Sequence, residues 1–200
     1  EFPFERIHGA GPTTNRVHVM IVSDGWTQAD LDTGRYKTLA KGVSDYLVQR
    51  QPFKDYAHLI NVTRVDVPSV ESGVSHAWNN SNKNTYYGSQ YPSEQDPTGN
   101  PTDSRGLWFK DAAVAQTKIK ETNPALTRHV TVVLCNDGTY GGAANYSRGM
   151  CTVSTDTRAN EVFFHELGHA LMNLADEYAY APFRALPADE PVEANVSKES

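Results

Sequence analysis

A chain of 200 residues is long enough for one domain with a sizeable core and crowded for two. Hydrophobic residues at 38% and charged residues at 21% describe an ordinary globular protein, while a formal net charge of −6 argues against a nucleic-acid partner, which calls for a basic surface. No apolar run approaches the roughly 18 residues that a bilayer span requires, so no membrane span is expected.

Arg16 to Ser23 (RVHVMIVS) is β-branched and apolar and runs into Asp24-Gly25, the pattern of a buried strand. A helix is expected from about Gln28 to Gln49. Thr27 suits its N-cap, Leu31, Tyr36, Leu39, Ala40, Val43 and Leu47 recur at helical spacing, and Pro52 lies beyond its end. Leu59 to Val67 alternates as a second strand, closed by Pro68. Ser69 to Arg105 is rich in Asn, Ser, Gly, Pro and Tyr and reads as a long surface excursion, either a wall of a cleft or a cover for the sheet. Its Trp78, Tyr86, Tyr87 and Tyr91 suit stacking on sugars as well as packing inward.

Leu107 to about Glu121 has the pattern of a second helix, stopped near Asn123-Pro124. Val130 to Cys135 is wholly apolar and therefore expected at the centre of a sheet. Asn136 to Gly149 is turn-rich and holds Tyr140-Gly141-Gly142, and Cys151 to Ser154 reads as a short edge strand. A further helix is expected from about Asn160 to Asn173, and a Pro-, Ala- and Glu-rich tail beyond Phe183 carries weak structural signals. Strands alternating with helices indicate an α/β layer fold in a single domain over residues 1–200.

Cys135 and Cys151 are compatible with one disulfide, and Asn61, Asn79, Asn145 and Asn195 each begin an Asn-X-Ser/Thr sequon. The sequence opens on Glu1 without an initiator Met, as a processed or cut chain would. Together these features lead to the expectation of a secreted protein.

The strongest chemical signal is His165-Glu166-Leu167-Gly168-His169 inside the last expected helix. Residues four apart are only about 40° apart around a helix axis, so both imidazoles can reach one ion. Phe163, Phe164, Leu167, Ala170, Leu171 and Leu174 fall on the other side of the wheel, which separates the two His from the core-facing stripe. Zinc in catalytic sites takes three protein ligands and a water, and Glu166 is placed to accept that water's proton rather than to bind metal. A third ligand has to come from downstream, where Asp176 and Glu177 are the candidates. Asp176 is seven residues past His169, roughly 10 Å along the axis if the helix continued, so the helix must end and the chain turn back. Asn173 suits that turn because Asn tolerates the left-handed conformation. Either carboxylate alternatively serves only to orient a ligand.

Four blocks in order resemble the IgA-peptidase-type family of secreted zinc metallopeptidases. They are Ile21-Val22-Ser23-Asp24-Gly25-Trp26; Gln51 to Tyr56 with Asn61 to Ser69 and Glu71 to Val74; Asn136-Asp137 with Tyr140-Gly141-Gly142; and His165 to His169 followed by Leu174-Ala175-Asp176-Glu177-Tyr178. The resemblance implies a zincin-like fold, a twisted mixed sheet packed on the active-site helix, with endopeptidase activity on a protein or glycoprotein. It also implies Zn²⁺ held by His165, His169 and Asp176, and Glu166 as general base. An edge strand that pairs with extended substrate is implied too, served by Cys151–Ser154 or the Tyr140 turn, with Tyr140 or Tyr178 as candidates near the oxyanion. Met172-Asn173 stands where such proteins often have Gly, and no Met follows Asp176. The competing readings are a non-catalytic zinc-containing module that binds glycan or protein, and a structural zinc domain, which is disfavoured because such sites are closed and Cys-rich.

Overall fold

The computed structural model describes residues 1–95, 98–122 and 129–176, and Asn195. Its strands are β1 (Phe4–His8), β2 (Val17–Asp24), β3 (Ile60–Val65), β4 (Ser75–His76), β5 (Ser89–Tyr91), β6 (Ser93–Gln95), β7 (Pro101–Asp103), β8 (Trp108–Phe109), β9 (His129–Cys135), β10 (Gly142–Asn145) and β11 (Met150–Val153). Its helices are α1 (Gln28–Asp32), α2 (Arg35–Gln49), α3 (Ala112–Thr122) and α4 (Ala159–Met172).

A mixed six-stranded sheet forms the centre, in the order β1-β3-β2-β9-β11-β10. β3, β2, β9 and β11 are parallel, and β1 and β10 close the two edges in antiparallel orientation. The central strands β2 and β9 are largely apolar on both sides because both faces are covered. Val19, Ile21, Val132 and Leu134 face one layer with α2 and α4, and Met20, Val22, Val133 and Cys135 face the other with α3 and the 69–105 segment. Two buried aromatic side chains are tied to the backbone: the Tyr36 hydroxyl sits 3.0 Å from the carbonyl oxygens of both Ile21 and Val65 and shares its one proton between them, and Trp26 Nε1 donates to that of Leu134 at 2.9 Å.

The central position expected for Val130 to Cys135 is observed. Thr27 caps α1 in a reciprocal box with Asp30. The single helix expected over 28–49 is instead two, because Gly34 adopts φ 76° and breaks the run. The helix expected from Leu107 begins only at Ala112, since Trp108 and Phe109 pair with the β5 strand.

The 69–105 segment is a built layer rather than a loose loop. Its β4 and β5 join β8 in a small sheet, β6 and β7 form a hairpin, and Tyr87 and Tyr91 are buried against the central sheet. Asp24, fully buried at the end of β2, anchors it by accepting from the backbone N–H groups of Tyr87 and Ser89 at 3.0 Å and from the Thr85 hydroxyl at 3.0 Å. Of the two roles considered for this segment, covering the sheet is realised for these tyrosines.

Two expectations are corrected. Cys151–Ser154 is not an edge: β11 lies between β9 and β10, and the edge is Gly142–Asn145. Nor are the cysteines bridged. Both are free and buried, Cys135 facing the α3 side of the sheet and Cys151 the α4 side. Cys151 is moreover level with Val132, three residues along β9 from Cys135, so no disulfide geometry is within reach.

Candidate metal centre and cleft

α4 buries Val162, Phe163, Leu167, Gly168 and Ala170 against the sheet. Phe164 packs edge-on against Tyr46 and Phe53, with centroids 6.0 and 5.7 Å away. This fixes the rotation of the helix, so that His165 and His169 point away from the core as the wheel requires. Their rings meet nearly perpendicular, at 89°, with centroids 4.6 Å apart.

Asn173 ends α4 in the left-handed conformation (φ 54°, ψ 42°), with its N–H on the carbonyl of His169. The N–H of Leu174 then reaches back to the carbonyl of Gly168, a Schellman-like closure that reverses the chain. That reversal brings Asp176 beside both histidines. Asp176 Oδ1 lies 3.0 Å from His165 Nε2 and 3.1 Å from His169 Nε2, and the two Nε2 atoms are 3.1 Å apart. Among the described residues these three offer a group of ligand atoms within reach of one ion. Glu177 and Tyr178, the other sequence candidates here, lie outside the described residues.

The donor set fits a zinc ion. His169 Nδ1 bonds to the carbonyl of Leu174, which places the proton on Nδ1 and leaves a lone pair on Nε2. That lone pair faces an Asp176 oxygen, an arrangement that a bound cation would stabilise. Four-coordinate ligands about 2.0–2.1 Å from a zinc ion stand roughly 3.3 Å from one another, close to the observed spacing.

Glu166 is set deeper. Burial pushes its carboxyl up to about 7, with His169 opposing and the Asp176 carboxylate adding to the rise. A carboxyl with such proton affinity suits proton transfer near neutral pH. It sits under β10: a Cβ at Gly142 would lie 3.2 Å from Glu166 Cγ.

An open cleft of about 1190 Å³ runs over this site, with His165, Glu166, His169 and Asp176 along it and Gly142 to Ala144 on one wall. The Gly142 N–H points out of the sheet edge and is taken by the carbonyl of Arg105 at 3.1 Å. By the two-residue period of a strand, the N–H and carbonyl of Ala144 also face the open edge. Tyr140 lines the cleft beneath the Arg158 guanidinium, 4.0 Å from its ring centroid. Arg105 and Glu94 also line it, so the 69–105 segment contributes to a wall as well as to a cover.

Comparison with known proteins decides the family, since the sequence model of IgA Peptidase M64 matches residues 6–199. The chain belongs to the M64 peptidase family. A search among curated proteins finds no match. M64 peptidases are metallopeptidases, which agrees with the cluster at the end of α4. The edge strand β10 is the element of the site that the sequence reading missed, although the Tyr140-Gly141-Gly142 alternative ended on its first residue. Among the described residues no helix is long and apolar enough to cross a membrane.

Proposed function

We propose that this M64 protein is a secreted zinc endopeptidase with a zincin-like catalytic arrangement. The observation that carries it is the meeting of His165, His169 and Asp176 donor atoms next to a buried Glu166, beneath an open antiparallel strand edge. His165 and His169 would hold the ion through Nε2 and Asp176 through Oδ1. When bound, zinc supplies Lewis acidity, which polarises a scissile carbonyl and makes a water more acidic.

The rest of the work falls to the chain itself. Ala144 pairs with an extended polypeptide through its outward N–H and carbonyl, which lays the scissile bond along the cleft. Glu166 takes the proton of the attacking water and returns it to the leaving amine, so that one water is consumed for each peptide bond broken. The His169–Leu174 hydrogen bond keeps the imidazole in one tautomer and orientation throughout. The substrate is a protein or glycoprotein with an accessible extended segment. Secretion belongs to the same reading, supported by the exposed sequon at Asn79; Asn61, by contrast, is fully buried in this fold.

The test compares metal content and cleavage of an unfolded protein substrate for the wild-type chain and His169→Ala. One zinc per chain, lost in the variant together with a chelator-sensitive cleavage, is the expected result. Zinc binding with no cleavage of any extended substrate would favour the non-catalytic binding module. A folded wild-type chain that takes up no zinc would overturn the proposal.

A further inference from the structure

Asp176 lies outside regular secondary structure, just past the reversal that ends α4, on a segment held by several contacts. One of them comes from far along the chain. The side-chain amide of Asn195 grips Ala175, the residue just before Asp176. Its Oδ1 accepts from the Ala175 N–H at 2.8 Å and its Nδ2 donates to the Ala175 carbonyl at 2.9 Å. Both backbone polar groups of Ala175 are thus satisfied by one planar group, in the manner of a strand partner.

We propose that Asn195 is a positioning residue for Asp176 and so tunes the affinity of the site for its metal. The inference rests on the reading of His165, His169 and Asp176 as ligands. The geometry behind it is a peptide held from two sides. On the helix side, the Leu174 carbonyl accepts from His169 Nδ1 and the Leu174 N–H bonds to Gly168. On the far side, the amide of Asn195 fixes Ala175. The Asp176 carboxylate follows directly from these two anchored residues. Ordering a backbone residue costs conformational entropy, and an anchor present before metal arrives removes part of that cost from binding.

The same geometry reassigns the sequon Asn195-Val196-Ser197. An N-linked sugar occupies the Nδ2 position cis to Oδ1, which is the position that faces the Ala175 carbonyl in this pairing. A glycan on Asn195 and the grip on Ala175 therefore exclude one another.

Zinc affinity, measured by competition with a chromogenic chelator, tests the assignment in the full chain, alongside the visible spectrum of the cobalt-substituted protein. Asn195→Ala is expected to weaken zinc binding about 10- to 100-fold and to alter the cobalt spectrum, while the metal-free protein unfolds at nearly the wild-type temperature. Asn195→Asp keeps the acceptor and loses the donor, and is expected to fall between the two; it decides the matter if the alanine variant fails to fold. Wild-type affinity and an unchanged cobalt spectrum in the variants would overturn the assignment. A wild-type chain that binds no zinc would overturn it together with the functional reading. A wild-type chain that binds zinc and cleaves nothing would overturn the peptidase reading alone, because the affinities still report on Asn195.

Discussion

Gly142 of the edge strand and Glu166 of α4 are packed so closely that no side chain fits between them. A Cβ on Gly142 would meet Val162 Cγ1 at 2.6 Å, the Thr152 carbonyl oxygen at 2.9 Å and Glu166 Cγ at 3.2 Å. The backbone contact at Thr152 cannot yield without shifting β10. Gly142→Ala is therefore expected to destabilise the fold by about 1–3 kcal/mol. On the proposed function it should also lower kcat/KM by displacing both β10 and Glu166, whereas His165, His169 and Asp176 are untouched. Urea unfolding combined with peptide kinetics checks this, and wild-type values in both would show that the edge relaxes without cost.

Glu166→Gln keeps the size of the side chain and removes its ability to take a proton. On the proposed mechanism a water-derived proton moves in each turnover, so kcat is expected to fall by about 10²–10⁴. Zinc stoichiometry should stay at the wild-type value, because Glu166 is outside the ligand group. Retained turnover in a variant that still holds zinc would remove Glu166 from the mechanism.

What the sequence disclosed followed from local signals. The apolar run Val130–Cys135 announced a central strand, Thr27 as an N-cap announced a helix start, and the His165/His169 face was separable from Phe163 and Leu167 by angle alone. The elements that escaped depend on distant partners. β10 is Gly-Ala-Ala-Asn, too small in side-chain volume to show a hydrophobic period, and it exists because β11 pairs with it. Among the described residues β1 pairs with β3 alone, and its first three residues are exposed, so its pattern is faint. The grip of Asn195 on Ala175 spans 20 residues and leaves no local trace, while its sequon suggested a different use. The two cysteines invited a bridge because sequence does not reveal which face of a sheet a residue occupies.

Asn173 carries a conformational burden that its neighbours do not. At φ 54° a β-branched residue is strained by roughly 1–2 kcal/mol, and glycine is not. Asn173→Val is expected to lose about that much stability and to weaken zinc binding, since the reversal at Asn173 delivers Asp176. Asn173→Gly should remain close to wild type in both. Equal behaviour of the two variants in unfolding and metal titration would mean that the turn does not set the ligand position.

His76 links three separate segments: Nδ1 bonds to Asp103 at 2.8 Å and Nε2 to Asp137 at 2.9 Å, and the ring stacks on Tyr91 with centroids 5.0 Å apart. Burial opposes its charging, but the hydrogen bonds and charges of Asp137 and Asp103 outweigh it and raise the pKa above 6.5. A raised folded-state pKa means a stabilisation fully present below pH 6.5 and lost as pH rises through the folded value. His76→Gln is therefore expected to cost most stability at pH 5.5 and least at pH 9. Urea titrations of both proteins across that range check the sign. A gap that widens with pH would contradict the protonated clamp.

The thiols provide a separate check on the sheet. Cys135 and Cys151 are fully buried, and burial pushes both well above the ordinary thiol range, so neither offers a thiolate at neutral pH. The folded protein is expected to react with no thiol reagent on the timescale of minutes. After denaturation without reductant it should release two thiols per chain, and dithiothreitol should leave the unfolding temperature unchanged. Absence of free thiols in the denatured, unreduced chain would require a bridge between opposite faces of the sheet. That would contradict the alternation that places Val132 and Leu134 on one side and Val133 and Cys135 on the other.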